Sequence, residues 1–159
     1  MMLIPGLKIV RAPNRGLVFR LGKPSRVLQP GIHYVAPLFE KVVEVSTALN
    51  TSEVDIDLIT RGGTPTTVKV GYTARVTNVE SALVNVANPF ATLRSNVIAV
   101  VSGAANSYTI DELAQCKTEI ATAAEQELQA LALENGWGLG DVQIAIGDPS
   151  MTDELKRLF

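Results

Sequence analysis

Val54, Ile56 and Leu58 alternate with Asp55 and Asp57, and beyond Arg61-Gly62-Gly63-Thr64 the residues Val68, Val70, Tyr72, Ala74 and Val76 alternate with Lys69, Gly71, Thr73 and Arg75. An apolar residue at every second position gives a strand one buried face and one wet face, so the two runs predict an antiparallel hairpin. Upstream, residues 16–21 form a short apolar run between turn residues, residues 27–35 bend at Pro30-Gly31, and residues 40–45 continue as a strand. Proline fixes φ and glycine accepts a positive one, which is why that dipeptide sets a turn.

The period then changes. Ala82, Leu83 and Val86 predict a short helix stopping before Asn88-Pro89, and Phe90, Leu93, Val97, Ile98 and Val101 predict a second helix beginning at Pro89 and running toward Tyr108, with Gly103 weakening its end. Thr109-Ile110-Asp111-Glu112 reads as a capping box, in which threonine and glutamate each satisfy the other's backbone N–H. From it the stripe Ile110, Leu113, Ile120, Ala124, Leu128 and Leu131 predicts one long helix ending at the left-handed stop Asn135-Gly136. Val142, Ile144 and Ile146 alternate as a closing strand, and Thr152-Asp153-Glu154 can start a last helix. Strands first, helices later and a closing strand predict an α+β domain, a twisted antiparallel sheet with helices packed on one side.

At 159 residues the chain is one ordinary domain, with about 1–50 as a strand-rich part, about 51–150 as sheet plus helices, and 151–159 as the beginning of a helix. Charged residues make up only 19%, which hints at apolar surface buried against partners. The net charge of -2 hides an asymmetry: residues 1–45 hold seven bases against Glu40 and Glu44, whereas residues 104–159 hold ten acids against three bases. That distribution suits head-to-tail contact between copies, or a basic end facing an anionic membrane, and solvated faces are the plain alternative. Cys116 is the only cysteine, which excludes an internal disulfide and a cysteine metal cluster and favours a reducing compartment. The apolar start MMLIPGLKIV is broken by Pro5-Gly6 and reaches Lys8, too short for a span of ~20 residues or for a signal peptide. The expected location is cytoplasmic, with any membrane attachment peripheral.

Candidate chemistry is sparse, and no cofactor or metal ligand set is expected. His33, the only histidine, follows a turn on a strand and reads as a structural hydrogen-bonder, since a catalytic base needs an oriented nucleophile. Cys116 sits one turn from Leu113 and Ile120 and reads as a buried small apolar residue. Asp55 and Asp57 share a strand face and read as the solvated side of an edge strand, and the acids of the long helix as another solvated face. The glycines of Gly136-Trp137-Gly138-Leu139-Gly140 follow a helix and lead into a strand, the reverse of the order that places a phosphate on a helix N-terminus. Charge and the lack of aromatic-basic interleaving speak against nucleic acid.

The order of pieces carries a resemblance. IVRAPNRGLVFRLGK, then VLQPGIHYVAP, then Leu58-Ile59-Thr60-Arg61-Gly62-Gly63 with its alternating strand, then TIDEL at 109–113 and Trp137-Gly138-Leu139 resemble, over nearly the whole chain, the SPFH or band 7 domain of stomatins, prohibitins and flotillins. Two places depart from the pattern: Gly62-Gly63 stands where Asp-Gly is common, and Gly140-Asp141 replaces an expected apolar residue, which predicts a shifted last strand.

The resemblance implies a non-enzymatic scaffold, a homo-oligomer that assembles laterally into rings, cages or membrane-associated patches and organises lipids or membrane proteins such as a protease or channel. Met1, Met2, Leu3, Ile4 and Leu7 are the expected membrane or partner contacts, and Arg11, Arg15 and Arg20 of one copy are expected to meet Glu119, Glu127 and Glu134 of the next. The alternative is a soluble shell component resembling the vault shoulder domain. A small hydrolase around His33 is the weakest reading.

Overall fold

The structure is a computed structural model that describes residues 5–151, with side chains described through Pro149. Nine strands and four helices follow in the order β1 (Leu7–Val10), β2 (Asn14–Arg20), β3 (Lys23–Leu28), β4 (Gly31–Tyr34), β5 (Glu40–Ser46), β6 (Asn50–Ile59), β7 (Pro65–Val76), α1 (Val79–Val84), α2 (Pro89–Ala105), α3 (Ile110–Gln115), α4 (Lys117–Asn135), β8 (Leu139–Ile146) and β9 (Ser150–Met151). The α+β class expected from the pattern is the one observed.

All strand pairings are antiparallel and fall into three sheets. β1 pairs β4, β2 lies between β3 and β5, and β7 lies between β6 and β8, with β9 beside the far end of β7. The predicted hairpin is β6–β7, with Val54 opposite Val70 and Ile56 opposite Val68. Their alternate side chains, with Val142 and Ile144 of β8, form a buried face against which Leu93, Val97 and Val101 of α2 and Ile120, Ala124 and Leu128 of α4 pack. The other face carries Glu53, Asp55 and Asp57 in solvent on the edge strand β6.

A second, small core of Val10, Val18, Leu28 and Val35, with Val42 against it, lies inside the first five strands. Strand β2 serves both cores, because its side chains alternate: Val18 points into the small one while Leu17 and Phe19 join the large one.

Three local expectations change. The single long helix is divided at Cys116, whose φ of -103° and ψ of 17° leave the helical region although its N–H still donates to Glu112 and its carbonyl still accepts from Ile120. The apolar stripe runs on across the joint, so periodicity alone does not register it, and Cys116 is half-buried at the joint rather than fully buried. Helix α2 passes Gly103 but ends at Ala105, short of Tyr108, and β1 and β9 are strands where the pattern named none. The capping box at Thr109 and Glu112 and the left-handed stop at Gly136 are present as expected.

The shift at Gly140-Asp141 is a β-bulge. Thr73 opposes Gln143 but Arg75 opposes Gly140, and Asp141 takes a φ of 51°. A bulge re-aims the side chain it carries, and here the Asp141 carboxylate meets Arg75 Nε at 2.5 Å.

Candidate functional site

The β2–β3 hairpin closes through only Leu21 and Gly22, with φ values of 51° and 83°. Positive φ at both positions matches the twist of the flanking strands, and the sequence that suits it is Asn-Gly. Leucine in the left-handed region costs about 1–2 kcal/mol, yet the side chain is 75% exposed, so no burial offsets the strain. Next to it, Leu38 and Phe39 are 87% and 56% exposed in the loop before β5. The two turns are joined by the Leu21 N–H donating to the Phe39 carbonyl at 2.9 Å.

Glu40 sets the shape of this loop. It accepts from both terminal nitrogens of Arg26, at 3.0 and 3.2 Å, and from the Ala36 N–H at 3.1 Å, while Arg26 also reaches the Tyr34 carbonyl at 2.9 Å. The Arg26 fork, then the Ala36 amide, hold the Glu40 carboxyl below its ordinary 4.5. The result is a held apolar tip of Leu21, Leu38 and Phe39 beside a groove of about 650 Å³ floored by Phe19 and Val43. Arg20, Lys23 and Lys41 flank it, all exposed and none in an ion pair among the described residues.

A second apolar surface lies on the β1–β4 ribbon. Leu7 opposes Tyr34 and Ile9 opposes Ile32, and all four are exposed on one face. Of the residues expected at a membrane or partner contact, Leu7 is exposed, whereas Met1, Met2, Leu3 and Ile4 lie outside the described residues, as does the start of a helix at Thr152-Asp153-Glu154. The pattern does not single out Leu21, Leu38 and Phe39: Leu21 ends an apolar run, and only Leu-Phe directly after Pro37, where loop chemistry asks for polar residues, is a signal in the sequence.

The charged residues expected to make contacts are separated within one chain. Arg11 is exposed after β1, Arg15 half-buried on β2 and Arg20 exposed at its end, while Glu119, Glu127 and Glu134 are exposed along α4. None of the six forms an ion pair among the described residues. Other acids of α4 are not idle. Glu125 accepts from the Ile144 N–H at 2.8 Å, and Gln129, one turn on, donates to the Val142 carbonyl at 3.1 Å, so the outer edge of β8 is capped by side chains. Glu112 is held below its ordinary 4.5 chiefly by the Thr109 N–H and then by the Arg61 charge.

His33 has the structural partner the sequence suggested: its Nε2 lies 2.6 Å from the Gln29 carbonyl, to which it donates. Among the described residues no group of three or more His, Cys, Asp and Glu is placed to hold a metal ion, and no helix is long and apolar enough to cross a membrane.

Comparison with known proteins agrees with the architecture. The SPFH domain / Band 7 family model matches residues 8–158. The Modulator of FtsH protease HflK of Escherichia coli K12 is 26% identical over 159 residues, covering 97% of this chain and 37% of that protein. A stomatin homolog of Pyrococcus abyssi is 26% identical over 161 residues, covering 98% and 58% respectively. A stomatin homolog of Pyrococcus horikoshii is 31% identical over 87 residues, covering 54% and 33%. The chain thus spans less than two thirds of the length of these relatives. With the family model covering all but the ends, the chain belongs to the SPFH domain / Band 7 family.

Proposed function

We propose that this domain is a non-enzymatic scaffold that rests its apolar tip on an anionic membrane surface and associates side by side with its own copies, organising lipids or partner proteins there. The observation that carries the reading is the tip itself. Leu21, Leu38 and Phe39 expose apolar surface on two joined turns, the second held in shape by Arg26 and Glu40, and Arg20, Lys23 and Lys41, none in an ion pair among the described residues, flank them. Apolar side chains entering the headgroup layer and cations meeting anionic lipid add to one another, and neither alone gives firm attachment. The attachment is peripheral. Lateral association is supported by the separation onto different elements of basic and acidic residues that form no ion pair among the described residues, and a protease among the partners is suggested by the name of the Escherichia coli relative.

Co-flotation with vesicles tests it. The chain is expected to float with phosphatidylserine-containing vesicles and to remain behind with pure phosphatidylcholine. A variant carrying Leu21→Ser, Leu38→Ser and Phe39→Ser, all exposed, is expected to stay folded and lose flotation. Equal flotation of the variant and the wild type overturns the tip contact, and closed particles assembling without lipid indicate a soluble shell instead.

A further inference from the structure

Where the β2–β5 sheet meets the end of β7, the surface opens into a recess of about 220 Å³ lined by Arg15, Thr47, Arg75, Val76 and Thr77. Two arginines line it, and among the described residues only Arg75 has a counter-ion. Asp141 holds Arg75 through Nε, and the strained bulge conformation of Asp141 is what places that carboxylate. Among the described residues nothing engages the terminal nitrogens of Arg75 or any nitrogen of Arg15. Glu44, which stands opposite Gly16 on β5, is committed to Lys8 at 3.3 Å.

The remaining donors of the recess are already spent. Thr47 Oγ1 donates to the Pro13 carbonyl, Thr77 Oγ1 to the Gly138 carbonyl, and the backbone N–H groups of both threonines to those same two carbonyls. What enters must therefore be recognised by guanidinium alone. Concave walls concentrate the field of an uncompensated cation, and the planar fork of arginine matches a carboxylate.

We propose that the recess between Arg15 and Arg75 accepts a glutamate from helix α4 of a second copy of this chain. The inference rests on the lateral-association reading above and names the contact. The complementary surface is on helix α4: Glu127 and Glu134 are exposed and in no ion pair among the described residues, seven residues apart and so ~10 Å apart on one helix face. Recess and helix are different surfaces, so the contact is head-to-tail, the kind that closes into rings or runs on as filaments.

Charge exchange tests it, read by sedimentation velocity at low salt. Arg15→Glu alone puts an acid in the recess, and the pair Glu127→Lys with Glu134→Lys puts bases on the ridge; each protein alone is expected to lose about tenfold or more in self-affinity. Mixed in equal amounts they are expected to associate again, because each mismatched surface finds its complement on the other protein. All changed residues lie outside the two cores, and unaltered circular dichroism checks the fold. An oligomeric wild type with an equally oligomeric Arg15→Glu variant, or no recovery on mixing, overturns the recess contact and leaves lateral association standing. A wild type that stays monomeric overturns both.

Discussion

Leu21 donates its backbone N–H to the carbonyl of Phe39 while both side chains stand in solvent. The bond holds two turns from different parts of the chain together, and what they present jointly is apolar. Stability and contact surface are in conflict at this point, because leucine is a poor residue for the φ of 51° at position 21. Leu21→Asn is expected to stabilise the fold by about 1 kcal/mol, since asparagine tolerates the left-handed region, and at the same time to weaken vesicle binding. Urea denaturation and flotation of the same preparation check the two halves; a variant that gains stability and keeps full binding contradicts the role of the tip.

Glu125 and Gln129 close the outer edge of β8 through Ile144 and Val142. Glu125→Ala leaves the Ile144 N–H without its partner and is expected to cost about 1–3 kcal/mol. Glu125→Gln keeps a carbonyl acceptor and is expected to recover most of that loss. Chemical denaturation of both variants decides the matter, and an Ala variant as stable as the wild type refutes the capping.

Two glycines with positive φ are expected to respond very differently to alanine. At Gly138, φ is 71° and a Cβ would sit 2.4 Å from the Asn78 carbonyl oxygen and 2.5 Å from the Ala82 nitrogen, both backbone atoms. At Gly63, φ is 79° and nothing lies within 4 Å of the same position. Gly63→Ala is expected to cost only the conformational ~1 kcal/mol, and Gly138→Ala at least about 3 kcal/mol. Similar thermal midpoints for the two variants contradict the close approach of Gly138 to the start of α1.

Acid is expected to weaken both the tip loop and the start of α3. Glu40 is held below 4.5 first by Arg26, and Glu112 first by the Thr109 N–H. A carboxyl whose folded value is depressed contributes stability that is fully present above its unfolded value and is lost as pH falls through the folded one. Denaturation midpoints taken from about pH 6 down to about pH 3 are therefore expected to fall, and less steeply in Glu40→Gln and in Glu112→Gln. Parallel curves for wild type and both variants contradict these contributions.

Much of this architecture is written in local pattern. The β6–β7 hairpin shows because one face is buried and the other wet, and the start of α3 shows because Thr109 and Glu112 are spaced to cap each other. The division at Cys116 is hidden because Leu113 and Ile120 both reach the core across it, so the stripe is continuous while the backbone is not. Gly140-Asp141 gave away an irregularity, but its form as a bulge aiming Asp141 at Arg75 depends on β7, more than sixty residues earlier in the chain. The apolar tip is hidden in part for the same reason: Leu38-Phe39 after Pro37 stands out, but Leu21 ends an apolar run, and its meeting with Phe39 is a property of the β2–β5 pairing.

The most direct measurement counts copies on a membrane. Dye-labelled chain is placed on a supported bilayer containing phosphatidylserine, and the bleaching steps of each bound spot are recorded. Spots with several steps are expected on that bilayer, with binding lost on phosphatidylcholine alone. Single-step spots, or no binding to the anionic bilayer, contradict a scaffold that assembles laterally on a membrane.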